Sequence, residues 1–403
     1  MATTETVPTQ HGATVSRWFR PMVGRDRDEP HRAATPLELL FDLCFVVAVS
    51  QLAAQLHHRE AEGRFPETLV GYLAVFFGIW WAWVNFTWFA SAYDTDDVPY
   101  RVLTLLQIAG VLVLTAGIPA AFNEFDLRVT VAGYIVMRVA LVGQWLRAAC
   151  EYPPTRASSL RFAVGVGACQ LGWLLRLAVP APWTGVLFGL LALAELAVPI
   201  WAEHAGRTPW HPGHIAERYG LFTIIVLGEC VLAATTAVQA AIIQSGLSSG
   251  LLVTGVGGLL LVFGMWWSYF KSSPVQALRN SLATTFIWSY AHYVLFAAVA
   301  ALGAGLQVAE ETAQHATHVS EVAAALSVAV PVAVYFPVLA FVHALTDGRQ
   351  QVAVWPIAGT VVLLFLMAAA ANVVPLAIVV LLMGVLAVGL VAVYVYRLRY
   401  VHR

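Results

Sequence analysis

The sequence predicts an all-α polytopic membrane protein of about twelve transmembrane helices. Three observations carry that prediction. Sixty per cent of the 403 residues are hydrophobic and 11% are charged, with mean hydropathy +0.74; soluble domains carry roughly 25% charge. Apolar runs of around 20 residues recur along the chain, the length that crosses a bilayer as a helix. The basic residues also concentrate in every second loop, on one side of those runs, as the positive-inside rule requires.

The first 35 residues are polar, hold Arg17, Arg20, Arg25, Arg27 and Arg32, and lack the apolar core of a signal peptide. They are expected to form a disordered cytoplasmic tail. Twelve spans follow, at about 37–57, 67–93, 99–121, 127–150, 158–178, 182–203, 215–241, 249–271, 279–306, 321–345, 353–371 and 373–396. Pro36, Pro66, Pro99 and Pro182 stand near helix starts, where the missing N–H costs nothing. The last two spans are nearly continuous, so eleven or thirteen remain open. With basic residues near span ends counted with the adjoining loop, seventeen Lys and Arg lie on the N-terminal side and four opposite, and Arg138 alone lies deep inside a span. That split places both termini, including a short tail at 397–403, on the cytoplasmic side. Cys44, Cys150, Cys169 and Cys230 have no CxxC spacing and read as small buried residues.

An internal repeat is expected. Phe77-Gly-Ile-Trp80-Trp81-Ala-Trp83 in span 2 matches Phe263-Gly-Met-Trp266-Trp267-Ser-Tyr269 in span 8. Glu38 opens span 1 as Glu217 opens span 7, and Arg101 and Arg279 each open the span after the Trp motif. Copies six spans apart share one orientation, which divides the chain into parallel six-helix halves at 36–204 and 205–396.

Two stretches carry a resemblance. Thr35-Pro-Leu-Glu38-Leu-Leu-Phe-Asp42-Leu-Cys-Phe-Val and His214-Ile-Ala-Glu217-Arg218-Tyr-Gly220-Leu-Phe-Thr-Ile-Ile-Val-Leu-Gly228-Glu229 resemble the bacterial low temperature requirement protein A family. So do Asp94-Thr-Asp96-Asp97 with Arg101, and Ser289-Tyr290-Ala-His292. The resemblance spans roughly residues 35–396. It implies a multi-pass inner-membrane protein and brings no settled molecular activity.

The candidate functional residues are the charges that a bilayer makes expensive. Glu38 and Asp42 share one face of span 1 at i, i+4. They suit a shared proton or cation site, while Glu38 alone also suits a helix cap. Arg138 and Glu195 lie mid-span, where a charge costs roughly 2.5–3.5 kcal/mol, so each needs a partner. A structural Arg138–Glu195 pair and an Arg138–Asp42 pair are both open. Glu229 sits four turns into span 7, where no cap explains it. Arg218 lies about 20° from it around the helix and three turns away. His204, His211, His214 and Glu217 precede or open span 7; His211-x-x-His214-x-x-Glu217 drifts around a helix and does not make a metal site. His292 and His343 are single intramembrane histidines, better suited to hydrogen bonding than to carrying protons. Trp80, Trp81, Trp266 and Trp267 are candidate pocket walls. Asp94, Asp96 and Asp97 would be acids of an enzyme on a lipid or isoprenoid, against the simpler reading of a loop with an Asp cap.

These features favour a proton-linked transporter or permease, with Asp42 or Glu229 protonated at the repeat interface. An intramembrane lipid or isoprenoid enzyme is the alternative, and a non-catalytic scaffold or sensor the third. The expected partners are the bilayer, protons and a small-molecule substrate. No cofactor, metal or nucleic acid is expected, because the basic tail better suits anionic lipid.

Overall fold

The computed structural model describes residues 18–29, 32–180, 182–245, 249–346 and 354–401. Fourteen α-helices and no strand are found among them. They are α1 (Pro36–Ala61), α2 (Phe65–Ala92), α3 (Val98–Ala116), α4 (Ile118–Glu124), α5 (Arg128–Glu151), α6 (Arg156–Arg176), α7 (Trp183–Glu203), α8 (Pro212–Ser245), α9 (Ser249–Tyr269), α10 (Val275–Asn280), α11 (Leu282–Ala313), α12 (Glu321–Thr346), α13 (Val354–Ala369) and α14 (Leu376–Val401). Each predicted span therefore has its long helix. Eleven of these helices, among the described residues, are long and apolar enough to cross a membrane; the exception is α6. Its Arg156, Arg161 and Arg176, with Ser158, Ser159 and Gln170, lower its hydropathy, and it packs between α5 and α7. The predicted third span breaks at Gly117 into α3 and the short α4, and the ninth begins at Leu282.

Helix starts follow side-chain chemistry. At α1 the Thr35 hydroxyl accepts the Glu38 N–H, the Glu38 carboxylate accepts the Thr35 N–H, and Pro36 occupies the first turn. Asp97 caps α3 and Ser281 caps α11 in the same way. At α8 the acceptor is an imidazole: His211 Nδ1 takes the His214 N–H at 3.1 Å.

Central α2 is buried along most of its length, from Tyr72 to Ala92. Two helix pairs approach closely through glycine. A Cβ on Gly133 of α5 would meet Leu114 N of α3 at 2.3 Å, and one on Gly305 of α11 would meet Ser327 O of α12 at 2.1 Å.

The N-terminal tail requires correction. Residues 18–29 and 32–35, expected to be disordered, form a strap across the helix ends. The Arg20 N–H donates to Asp97 Oδ2 at 3.0 Å, the Met22 N–H to Glu151 Oε2 at 2.5 Å, and the Arg25 N–H to Ala92 O at 3.0 Å. Arg32 donates to Ser91 O at 2.5 Å and Ala90 O at 2.7 Å. Ala90, Ser91 and Ala92 are last-turn carbonyls of α2 that no helical N–H can reach, so the strap supplies their donors. Residues 1–17 and 30–31 of the expected tail lie outside the described residues. At the other end α14 continues through Val401, into the expected 397–403 tail.

Candidate functional site

The fold brings the opening turns of α1 and α8 against each other, and there it buries a charge cluster. Arg218 donates through Nε to Asp42 Oδ2 at 3.0 Å and through Nη2 to Asp42 Oδ1 at 2.5 Å, a two-pronged pair. Its Nη1 lies 3.0 Å from Glu38 Oε1, and His214 Nε2 lies 3.1 Å from the same oxygen. Trp83 of α2 donates its indole N–H to Asp42 Oδ1 at 2.7 Å. Arg32 of the strap closes the cluster, with Nη2 3.8 Å from Glu38 and 3.6 Å from Asp94. Arg218, His214 and Asp42 are completely buried, and Glu38 is 1% exposed. Burial lowers the Arg32 pKa, against the opposing pull of Glu38 and Asp94. Burial raises the Asp94 carboxyl and nearby Glu38 adds to the rise, while Arg32 and Arg25 oppose it.

Further along the same two helices, Glu229 faces Ser50. The residue is 6% exposed, its carboxyl lies beside the Ser50 side chain, and Oε2 is buried without a hydrogen-bond partner. Asp42 meets Arg218 and Ser50 meets Glu229, so α1 and α8 run side by side in the same direction. Arg218 and Glu229 share the α8 face turned to α1, as the 100° period predicts. Arg218 neutralises the acids of α1, not Glu229.

On the other side of α8 lies a cavity of about 370 Å³, lined by Glu217, Tyr269, Phe270, Trp288, His292 and His343 among others. It reaches from the N-terminal end of α8 to Ile224. Glu217 accepts the Ala34 N–H of the strap at 3.2 Å. His292 donates from Nδ1 to Trp288 O at 2.7 Å and accepts the Tyr269 hydroxyl at Nε2, 2.9 Å away. That arrangement is complete in the neutral imidazole, which makes His292 a positioning residue.

The remaining candidates separate. Arg138 pairs with Glu195 at 3.3 Å and with the Tyr134 hydroxyl at 2.9 Å; Trp81 and Trp173 donate to the same Glu195 carboxylate. The Arg138–Asp42 alternative is not formed. Asp94, Asp96 and Asp97 diverge, each toward its own arginine: Asp94 toward Arg32, Asp96 to Arg101 at 2.7 Å, Asp97 to Arg147 at 2.6 Å. They do not converge as an acid site. His204 is exposed and bonded to Ile200 O, and His211 caps α8 while its Nε2 faces Glu29 O. The Trp pairs also part. Trp80 and Trp81 are packed in the core, whereas Trp266 and Trp267 line a surface groove of about 970 Å³ between α8, α9 and α14. The pocket-wall expectation is corrected for Trp80, whose ring packs on Trp81 and Tyr293. The physical reason is position: α2 is central and α9 peripheral.

With the geometry in place, comparison with known proteins is decisive for family. The profile of the bacterial low temperature requirement A protein (LtrA) matches residues 33–394. The chain belongs to this family. It is 26% identical over 294 residues to an uncharacterised protein of Rhizobium meliloti (strain 1021), covering 69% of this chain and 68% of that one. No solved structure matches the chain.

The LtrA match begins at residue 33, next to a residue that sequence reasoning missed. Arg32 belongs to the buried cluster, yet it read as one more tail charge. Its spacing from the Thr35 cap was the available signal. Trp83 and Tyr269 were visible only as repeat letters; each turns out to hold a charged or titratable side chain. The offset that sets Glu38 against Glu217 also sets Ser50 against Glu229, and Ser50 is the residue that Glu229 meets.

Proposed function

We propose that this LtrA protein is a proton-linked transporter or permease of the bacterial inner membrane, with both termini cytoplasmic, built from two parallel six-helix halves that meet at α1 and α8. The observation that carries the reading is Glu229. It is a buried acid in an apolar helix, on the contact between the halves, with one carboxylate oxygen lacking a partner. A carboxyl left in that condition is better accommodated with a proton than without one. Gaining or losing the proton changes how strongly α8 holds Ser50 of α1, which biases the packing of one half on the other. The Arg218–Asp42–Glu38 group acts as a latch at the opposite end of the same contact, and the cavity beside Glu217 is where substrate would sit.

The repeat is supported by which residues meet. In the sequence alignment of the halves Ser50 corresponds to Glu229, and the two are neighbours. Corresponding residues touch only near a two-fold axis, so the axis would run between α1 and α8. An intramembrane enzyme is the second reading, favoured by a cavity whose lining sits toward one end of its helices. Its acid would then be Glu217, because Asp94, Asp96 and Asp97 point apart.

The test is proton flux into proteoliposomes of the full chain under a pH gradient, with Asp42→Asn and Glu229→Gln alongside. Flux lost in Glu229→Gln, in a chain that still unfolds cooperatively, supports the reading. An intact chain with no flux in any gradient would overturn it and bring the enzyme forward, to be checked by lipid extraction for an altered product.

A further inference from the structure

The cavity beside α8 has a chemistry of its own, and we infer that it is a binding site for a small organic cation, a protonated or quaternary amine. This deepens the transporter reading by naming the class of substrate, and it rests on that reading only for the ligand's passage, not for its binding.

Four observations carry it. The cavity, about 370 Å³, is at the lower end of the range used by small-molecule sites. Among the described residues Glu217 is the only acidic side chain on its wall, and no Lys or Arg lines it. Among the described residues Glu217 makes no ion pair, and its one hydrogen bond comes from the Ala34 backbone. Arg218, the next residue, is turned to the opposite side of α8, where Asp42 and Glu38 consume its charge. The carboxylate is thus available to a cation from the cavity.

The rest of the wall agrees. Tyr269, Phe270 and Trp288 bring three aromatic rings to the same space. Ring faces attract cations, most strongly where water is excluded, and a carboxylate with aromatic walls is a recurrent solution for ammonium groups. His292 contributes no positive charge, since both ring nitrogens are satisfied in the neutral form. His343 lies near the Tyr269 backbone and near Lys271, whose ammonium sits over the Tyr394 ring, 3.7 Å from its centre. Among the described residues an anion would find no Lys or Arg on this wall, and a wholly apolar ligand would leave Glu217 desolvated without compensation.

The experiment is isothermal titration of the full chain in detergent with two cations, choline and 2-phenylethylammonium. Each is paired with a neutral counterpart of similar shape, 3,3-dimethylbutan-1-ol and 2-phenylethanol. The expected result is saturable binding of at least one cation, about tenfold or more tighter than its neutral counterpart. Glu217→Gln should abolish that preference, and Trp288→Leu should weaken the cation while leaving cooperative unfolding in place. Neutral and charged ligands binding alike, Glu217→Gln binding the cation like wild type, or no saturable heat with either cation at millimolar concentration would each overturn the inference. Binding without flux in proteoliposomes would sink the transporter reading and leave this site standing. Proton flux that no cation alters, in a chain that binds none, would do the reverse.

Discussion

Arg218 gives Asp42 two hydrogen bonds and reaches Glu38 with its third nitrogen, so removing the guanidinium strands two buried carboxylates. Arg218→Met should cost about 3–5 kcal/mol, the range for breaking a buried ion pair on one side. Thermal unfolding in detergent reads it, and a loss within error of a surface substitution would contradict the pairing. The Arg138–Glu195 pair makes a contrasting prediction. Arg138→Leu alone should destabilise by a similar amount, whereas Arg138→Leu with Glu195→Gln should recover most of it. The Gln carbonyl keeps an acceptor for the Trp81 indole, the shorter of the two bonds to Glu195, without a buried charge, at the cost of the Trp173 bond. Failure of the double variant to recover would mean that the pair does more than hold α5 to α7. Outside the membrane, Asp97 ties the strap to α3 and α5. Burial would raise its pKa, but hydrogen bonds from the Arg147 side chain and the Arg20 and Tyr100 backbones outweigh this and lower it below its ordinary 3.8. A carboxyl depressed by folding stabilises at pH above its unfolded value, and that stabilisation fades as pH falls through the folded one. The tie should therefore weaken as pH falls below the ordinary 3.8 and be lost once pH passes below the depressed folded value. Trypsin cleavage at Arg25 and Arg27, measured after brief acid exposure and in Asp97→Asn at neutral pH, should rise in both cases; unchanged cleavage in Asp97→Asn would contradict the tie.

At the scale of helices, glycine decides which pairs come close. Gly305→Ala should destabilise by about 1–3 kcal/mol, because the new methyl would sit on the Ser327 carbonyl. Gly228→Ala, where a Cβ meets nothing within 4 Å, should be neutral or slightly stabilising. Equal effects would mean that α11 and α12 are not packed as described. This scale also shows what was legible in the chain. The Thr35-Pro36-x-Glu38 box announced α1, and apolar length announced every other long helix, because both signals are local. The strap was not legible: its arginines look like any solvated tail until the bare carbonyls of α2 are placed beside them. Nor was the division of the Trp motifs, since Trp80-Trp81 and Trp266-Trp267 are the same letters on a central helix and a peripheral one. The site was half legible. The cost of charge in a bilayer picked out Asp42, Arg218 and Glu229, but which acid Arg218 serves depends on α1 lying against α8. The cavity at Glu217 is made by α8, α9, α10, α11 and α12 together, and no stretch of sequence announces it.

For the whole molecule, α1 donates Glu38, Asp42 and Ser50 and α8 donates His214, Arg218 and Glu229, so the charged contact exists only when α1 and α8, and with them the two proposed halves, are together. A contact of this kind is a static core if the halves never part and a gate if they do. The measurement that separates these is the accessibility of Ser50→Cys in a chain whose four native cysteines have been replaced, reconstituted in vesicles and challenged with a membrane-impermeant thiol reagent on either side. The proposed alternation predicts labelling from both sides, with the balance between sides shifted by a pH gradient and the shift abolished by Glu229→Gln. A thiol that stays unreactive from both sides under every gradient, in a chain that still unfolds cooperatively, would contradict the account.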